Sequence, residues 1–81
     1  MTAWICQAWK MSDPDSSRYF LVNEADVRMA LIEVHKAVSA DSETRIKGLR
    51  PATQVDLETI GLVSGKVGEI QPDIALIMGF N

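Results

Sequence analysis

The chain has 81 residues, of which 47% are hydrophobic and 23% charged, and its formal net charge at pH 7 is −3. This length predicts a single domain over residues 1–81, and the ordinary apolar content argues against intrinsic disorder. One Cys and one His cannot form an intramolecular disulfide or a tetrahedral zinc site. We therefore expect a core that is held together by packing or helped by a partner, without a metal or a cofactor.

The longest apolar run, residues 74–80, is far shorter than the ~20 residues that a membrane-spanning helix needs. Residues 1–9 carry neither a basic leader nor a long apolar region, which predicts that no signal peptide is present. Together with the lone Cys6, these features predict a protein of the reducing cytoplasm that does not associate with membranes.

The N-terminal quarter of the chain predicts a β-hairpin. Aromatic and β-branched residues over 2–9 and 18–22 are typical of strands. Residues 10–17 between them are rich in Asp and Ser and include Pro14, which indicates a loop. Because the two strands are close in sequence, we expect them to pair in an antiparallel arrangement.

A long amphipathic helix is predicted over residues 24–39, with Asn23 as its N-cap and with Glu24 and Asp26 in its first turn. Apolar residues recur at helical spacing and define the face expected to be buried: Val27, Ala30, Leu31, Val34, Ala37 and Val38.

Residues 53–63 fit either a strand or a short helix. In the helical interpretation, Thr53 is the N-cap, Asp56 occupies the N3 position and Gly61 ends the helix, with Leu62 supplying the apolar contact that accompanies a glycine stop. The strand interpretation leaves Gly61 unexplained, so the helix is favoured.

Three further strands are predicted, over residues 44–49, 67–70 and 74–78, the last of them buried in the interior of the sheet. Gly48 weakens the first of these strands and marks a β-bulge. The expected fold is α+β, in the order β-β-α-β-α-β-β, with the helices packed on one face of a mostly antiparallel sheet.

Two segments resemble ligand-binding loops but lack the residues that those loops need. Residues 64–68 contain the Gly-Lys pair of a phosphate loop, but Gly61 is one position too close and Val67 replaces the required hydroxyl. Residues 13–17 contain two Asp, but Arg18 stands where a calcium loop needs glycine. Both segments are predicted to be turns.

Cys6 and His35 are the only candidates for a nucleophile and its base. A Cys on an apolar strand is usually a small buried residue, and a His near the end of a helix usually interacts with the helix dipole. The sequence therefore predicts that the protein is not an enzyme.

The basic residues Arg45, Lys47 and Arg50 form one cluster that can contact nucleic acid. However, Asp41 and Glu43 adjoin the cluster, and no aromatic residue is interleaved with it for base stacking. A solvated strand edge that its charges protect from aggregation is the favoured interpretation. The other carboxylates are scattered, which gives little support to a mimic of DNA.

Four aromatic residues lie on the two predicted hairpin strands: Trp4, Trp9, Tyr19 and Phe20. Since strand residues alternate between faces, each pair points to opposite sides of the sheet. If the helices cover one face, the other face exposes a Trp and a second aromatic residue, which is typical of an interface. The alternative is that loops and the C-terminal segment cover that face.

These features together predict a non-enzymatic module that binds a larger protein partner, associates with itself as a homodimer, or does both through an aromatic sheet face. Inhibitors carried by phages and other mobile elements, including those directed at CRISPR complexes, are an example of such small acidic proteins. The alternative hypothesis is a nucleic-acid-associated regulator that uses Arg45, Lys47 and Arg50.

Overall fold

The computed structural model describes residues 3–60 and 66–79. The strands in these ranges are β1 (Trp4–Lys10), β2 (Asp13–Val22), β3 (Thr44–Pro51) and β4 (Val67–Ile70), and the helices are α1 (Val27–Ala37), α2 (Gln54–Ile60) and α3 (Pro72–Ile77). The strands form one sheet in the order β3-β1-β2-β4, in which every neighbouring pair is antiparallel. This architecture confirms the α+β fold, and none of the described helices is long and apolar enough to cross a membrane.

The hairpin of β1 and β2 forms as predicted, with Cys6 opposite Phe20, but its loop is shorter than expected. Residues 13–17, predicted as a loop, belong to β2 because Asp13 pairs with Lys10 across a tight connection. The register shifts between Ala8 and Lys10, so the additional residues of β2 are accommodated as a bulge in the strand.

Helix α1 begins later than predicted because Asp26, not Asn23, caps it. The Asp26 carboxylate accepts a hydrogen bond from the backbone N–H of Arg28 at 2.8 Å. The backbone N–H of Asn23 instead donates to the carbonyl oxygen of Lys66 at 2.7 Å, which keeps this part of the chain extended beside β4. The buried face includes Ala30 and Val34 as predicted, whereas Ala37 is exposed.

The glycine at position 48 marks the β-bulge that the sequence predicts. In the pairing of β1 with β3, Ile5 lies opposite Arg50 and Cys6 lies opposite Gly48, so Leu49 is the extra residue. At this point β3 passes close to α1, because a Cβ atom on Gly48 would lie 2.6 Å from Cγ2 of Val27. The position therefore requires glycine for close approach rather than for a special backbone angle.

The helix favoured for residues 53–63 forms over Gln54–Ile60, and a reciprocal cap starts it. The backbone N–H of Thr53 donates to Oδ2 of Asp56 at 2.9 Å, and the Asp56 N–H donates to Oγ1 of Thr53 at 3.2 Å. The other Asp56 oxygen accepts from Nη2 of Arg50 at 2.9 Å, which attaches the cap to β3. The predicted stop at Gly61 and Leu62 lies outside the described residues.

The prediction of a last strand over residues 74–78 is wrong, because these residues belong to helix α3 and its C-cap. Pro72 is the first helical residue and Asp73 places a negative charge in the first turn, both of which favour the start of a helix. Ala75 is fully buried against the sheet. The observed order of elements is therefore β-β-α-β-α-β-α.

Helices cover both faces of the sheet, which differs from the single covered face expected from the sequence. Beneath α1 lies a cluster of buried residues: Cys6, Ala8, Phe20, Val22, Ala30 and Val34. The opposite face carries the other buried cluster, against which residues of α2 and α3 pack: Ala3, Ile5, Tyr19, Leu21, Ile70 and Ala75. The second layer of helix exists because the apolar C-terminal segment folds back over the sheet instead of extending it.

Candidate interaction surface

One end of the sheet face beneath α2 and α3 lies outside the buried cluster of that face. Gln7 and Trp9 follow Ile5 at alternate positions of β1, so their side chains lie on the same face as Ile5. Ile5 belongs to the buried cluster of that face, whereas Gln7 and Trp9 belong to neither of the clusters found within the described residues. We call this region the open end, and it comprises Gln7, Trp9, Ser17, Arg45 and Lys47.

Pairing of β1 with β3 brings basic side chains beside Trp9. Trp9 lies opposite Arg45, and Gln7 lies opposite Lys47. The ammonium nitrogen of Lys47 lies 5.8 Å from the centroid of the Trp9 ring, which is a cation–π distance. The open end thus presents a half-buried indole ring flanked by two exposed cations.

The polar side chains of the open end are held in place by hydrogen bonds. Nε2 of Gln7 donates to Oγ of Ser17 at 3.1 Å, which links β1 to β2. Nη1 of Arg45 donates to the carbonyl oxygens of Ser42 at 2.9 Å and Thr44 at 3.1 Å. The surface is therefore largely organised before any partner arrives.

The three basic residues singled out in the sequence lie on one strand but do not form one patch. Arg45 and Lys47 lie at the open end, at alternate positions of β3. Arg50 lies beyond the bulge at Gly48, and its guanidinium donates to Asp56 in the cap of α2. The basic character of the open end therefore comes from two residues, and Arg50 stabilises the fold.

The acidic neighbours of the basic cluster accept hydrogen bonds from the turn before β3 and from the connection between β1 and β2. Oδ1 of Asp41 accepts hydrogen bonds from the backbone N–H of Glu43 at 2.9 Å and from that of Thr44 at 3.1 Å. The hydrogen bonds from Glu43 and Thr44 hold the pKa of the Asp41 carboxyl below its ordinary value. Oε2 of Glu43 accepts from Ser12 at 2.9 Å. These carboxylates therefore organise the turn before β3.

The structure does not bring the four aromatic residues together on one surface. Tyr19 is 7% exposed on the face of α2 and α3, and Phe20 is 3% exposed beneath α1. Trp4 is half-buried against the cluster under α1, and its indole N–H donates to the carbonyl oxygen of Ala25 at 2.9 Å. Trp9 is the aromatic residue at the open end, so the predicted aromatic interface now depends mainly on this side chain.

The proximity of Trp9 to Arg45 and Lys47 is the feature of this candidate surface that sequence reasoning missed. The basic cluster was expected to lack an aromatic neighbour because none is interleaved with it along the chain. The alternation of side chains along a strand predicts the face of β1 on which Trp9 lies. Its position beside Arg45 and Lys47 depends on the long-range pairing of β1 with β3.

The candidate nucleophile Cys6 is fully buried beneath α1, and this burial raises the pKa of its thiol to about 11. A buried thiol that stays protonated at neutral pH is a poor nucleophile. His35 is exposed on α1 and lines a groove between α1 and β3. Among the described residues, no group of three or more His, Cys, Asp or Glu side chains is arranged to hold a metal ion. Of the segment similar to a phosphate loop, residues 64 and 65 lie outside the described ranges.

Comparison of the chain with known protein families, with curated proteins and with solved structures gives no match. The function is therefore inferred from the geometry of the surface.

Proposed function

We propose that the protein is a non-enzymatic interaction module that binds a protein partner through the open end of its sheet. The observation that carries this proposal is the position of Trp9, which lies opposite Arg45 and 5.8 Å from the Lys47 ammonium, outside the buried cluster of its sheet face. Tryptophan and arginine are among the residues enriched at the positions that dominate binding energy in protein interfaces.

The position of Trp9 in the sheet supports the same proposal. Strand β1 is a central strand, hydrogen-bonded to β2 on one side and to β3 on the other. A side chain on such a strand loses little backbone freedom when a partner binds, so little ordering entropy opposes association. The hydrogen bond between Gln7 and Ser17 provides a fixed polar neighbour to the indole ring.

The partner is either a larger protein or a second copy of this chain. Proteins that inhibit a larger complex by occupying its surface, such as those carried by phages, are one class that a small module of this kind fits. Burial of Cys6, with the raised pKa of its thiol, supports a role in binding rather than in nucleophilic catalysis.

Affinity capture with matched variants tests this proposal. The wild-type protein, Trp9→Ala and Ile77→Ala are immobilised, and the proteins that each retains from the source cells are quantified by mass spectrometry. Ile77 is the control because it is 76% exposed, belongs to α3 and is not one of the residues of the open end. We expect at least one protein to be retained by wild type and Ile77→Ala and lost with Trp9→Ala.

Lys47→Glu serves as a second variant because the Lys47 side chain is exposed and its replacement leaves the core intact. Sedimentation equilibrium of the same proteins detects self-association through the open end. If retention of every captured protein is equal for all variants, and wild type is monomeric throughout, the proposal is wrong.

A second candidate function is binding of single-stranded nucleic acid, which the same juxtaposition of Trp9 and Lys47 favours. An indole ring beside cations combines base stacking with attraction to phosphate. In Trp4→Phe, Trp9 is the remaining tryptophan, so its fluorescence reports on this site. Nucleic-acid binding predicts that an oligothymidylate quenches this fluorescence with an affinity that falls steeply with salt. Absence of quenching at low salt rejects this candidate.

A further inference from the structure

Strand β3 is one edge of the sheet, because the strand order is β3-β1-β2-β4. Within residues 3–60 and 66–79, no strand pairs with the outer side of β3. An unpaired edge presents backbone N–H and C=O groups that can form a ladder with another extended chain. At 8 residues, β3 is long enough to pair with an additional strand of ordinary length.

A groove runs between α1 and this edge of β3. Its lining is contributed by both elements: Leu31, Ile32, His35 and Lys36 from α1, with Thr44, Arg45 and Ile46 from β3. The volume of the groove is about 530 Å³. Ile32 is 46% exposed, and Leu31 and Ile46 are half-buried, so apolar surface remains accessible on the α1 side of the edge.

The opposite face of the same edge is basic. Ile46 lies opposite Ala8 on the α1 side of the sheet, whereas Arg45 and Lys47 are at alternate positions on the other side, although Arg45 also lines part of the groove. A strand added beside β3 has side chains that alternate between these two environments. Side chains on one face of that strand meet the groove with its apolar residues Leu31, Ile32 and Ile46, and those on the other face meet two exposed cations.

The charge of the edge determines which occupant fits. Strand β3 contains Arg45, Lys47 and Arg50 and no acidic residue, although the whole chain is net acidic. A second copy pairing through β3 would bring the same cations close to one another, and like charges on paired strands are destabilising. An acidic segment places carboxylates beside Arg45 and Lys47 instead.

We propose that the outer edge of β3 binds an extended segment of a partner protein in which apolar and acidic residues alternate, and that this segment adds to the sheet as a fifth strand. Backbone hydrogen bonds to β3 supply affinity, the groove beside Ile32 and Ile46 selects apolar side chains, and Arg45 and Lys47 select acidic ones. This site shares Arg45 and Lys47 with the open end but lies on the strand edge and requires no contact with Trp9, so it can exist even if Trp9 binds no partner.

Three synthetic peptides of about seven residues, a typical strand length, separate strand addition from simple charge attraction. In the first, Glu and Val alternate. The second has Lys in place of Glu, and the third keeps Glu but has Pro in place of two Val residues, so it loses backbone donors at unchanged charge. Affinities for the full chain are measured by titration calorimetry, and NMR of the ¹⁵N-labelled chain locates the bound peptide.

We expect the Glu/Val peptide to bind at least tenfold more tightly than either of the other peptides. When this peptide binds, the changes in the amide shifts of the labelled chain should concentrate in residues 44–50 and 31–36. Ile32→Glu should weaken binding at least tenfold, whereas the control Ile77→Glu, at an exposed position of α3, should change it less than threefold.

Three outcomes overturn the proposal: equal affinity of the Glu/Val and proline peptides, shift changes confined to other surfaces, or no binding at millimolar peptide. Sedimentation equilibrium of the chain without peptide tests whether a second copy of the chain occupies the edge instead. A dimer whose β3 amides become protected from exchange assigns the edge to a second copy and contradicts the proposal as well.

Discussion

Replacing Gly48 with alanine tests how closely β3 packs against α1. The added Cβ would lie 2.6 Å from Cγ2 of Val27 and 3.5 Å from Cε3 of Trp4, and the first distance is too short for carbon atoms in contact. Relief requires Val27 or the backbone of β3 to move, and overpacking of this kind costs about 1–3 kcal/mol. Restriction of the unfolded chain offsets only about 0.4–1 kcal/mol of that cost. We therefore expect Gly48→Ala to lower the free energy of unfolding by about 1–2 kcal/mol.

Urea unfolding followed by circular dichroism measures this change, and a double-mutant cycle with Val27→Ala identifies its cause. Val27→Ala removes the Cγ2 atom against which the new Cβ collides. The double variant should therefore be more stable than the sum of the single effects predicts, by at least about 1 kcal/mol. A Gly48→Ala protein as stable as wild type, or strictly additive single effects, would refute the close approach of β3 to α1.

Three further predictions concern the fold. Asp56→Ala should lower the free energy of unfolding by about 2–3 kcal/mol, because it removes the cap of α2 and the partner of Arg50, and urea unfolding measures the loss. The pKa of Cys6 in the folded protein, about 11, lies above its ordinary value of 9.0. The contribution of the protonated thiol to the free energy of unfolding should therefore be fully present below pH 9, and roughly 2–3 kcal/mol should be lost as the pH rises to 11. Cys6→Ala should abolish this alkaline loss in urea titrations at several pH values. The bidentate pair of Arg18 and Glu69, with bonds of 2.8 and 2.9 Å, is exposed to solvent. A double-mutant cycle at this pair should give a coupling of only about 0.5–1 kcal/mol that decreases at high salt.

Each of these predictions has a distinct contrary result. An Asp56→Ala protein of unchanged stability would show that the cap contributes nothing. Identical alkaline unfolding of wild type and Cys6→Ala would show that the buried thiol does not titrate with folding. A coupling between Arg18 and Glu69 that is insensitive to salt would contradict their exposure.

Short-range sequence patterns were sufficient to predict the elements whose caps, turns or bulges are formed by residues close together in the chain. The Thr53–Asp56 pair predicted the cap of α2 because both partners of each hydrogen bond lie within one turn. The strand over residues 67–70 and the bulge at Gly48 also followed from local composition. Such features depend little on the rest of the chain, so a single sequence reveals them.

The features that sequence reasoning missed depend on distant parts of the chain. Residues 74–78 are apolar on all sides and are equally typical of a buried strand and of a helix lying on a sheet. Their helical state is favoured by Pro72 and Asp73, together with a sheet face available to receive them. The juxtaposition of Trp9 with Arg45 likewise depends on the pairing of β1 with β3, which no local pattern specifies.

The affinity of a captured partner for Trp9→Ala tests most directly the proposal that the open end binds a protein. Titration calorimetry with wild type, Trp9→Ala and Ile77→Ala gives three dissociation constants for the same partner. Loss of an anchoring tryptophan typically costs at least about 2 kcal/mol, so we expect Trp9→Ala to bind roughly 30-fold more weakly and Ile77→Ala to match wild type. Equal dissociation constants for all three proteins, with circular dichroism confirming that each is folded, would contradict the proposal.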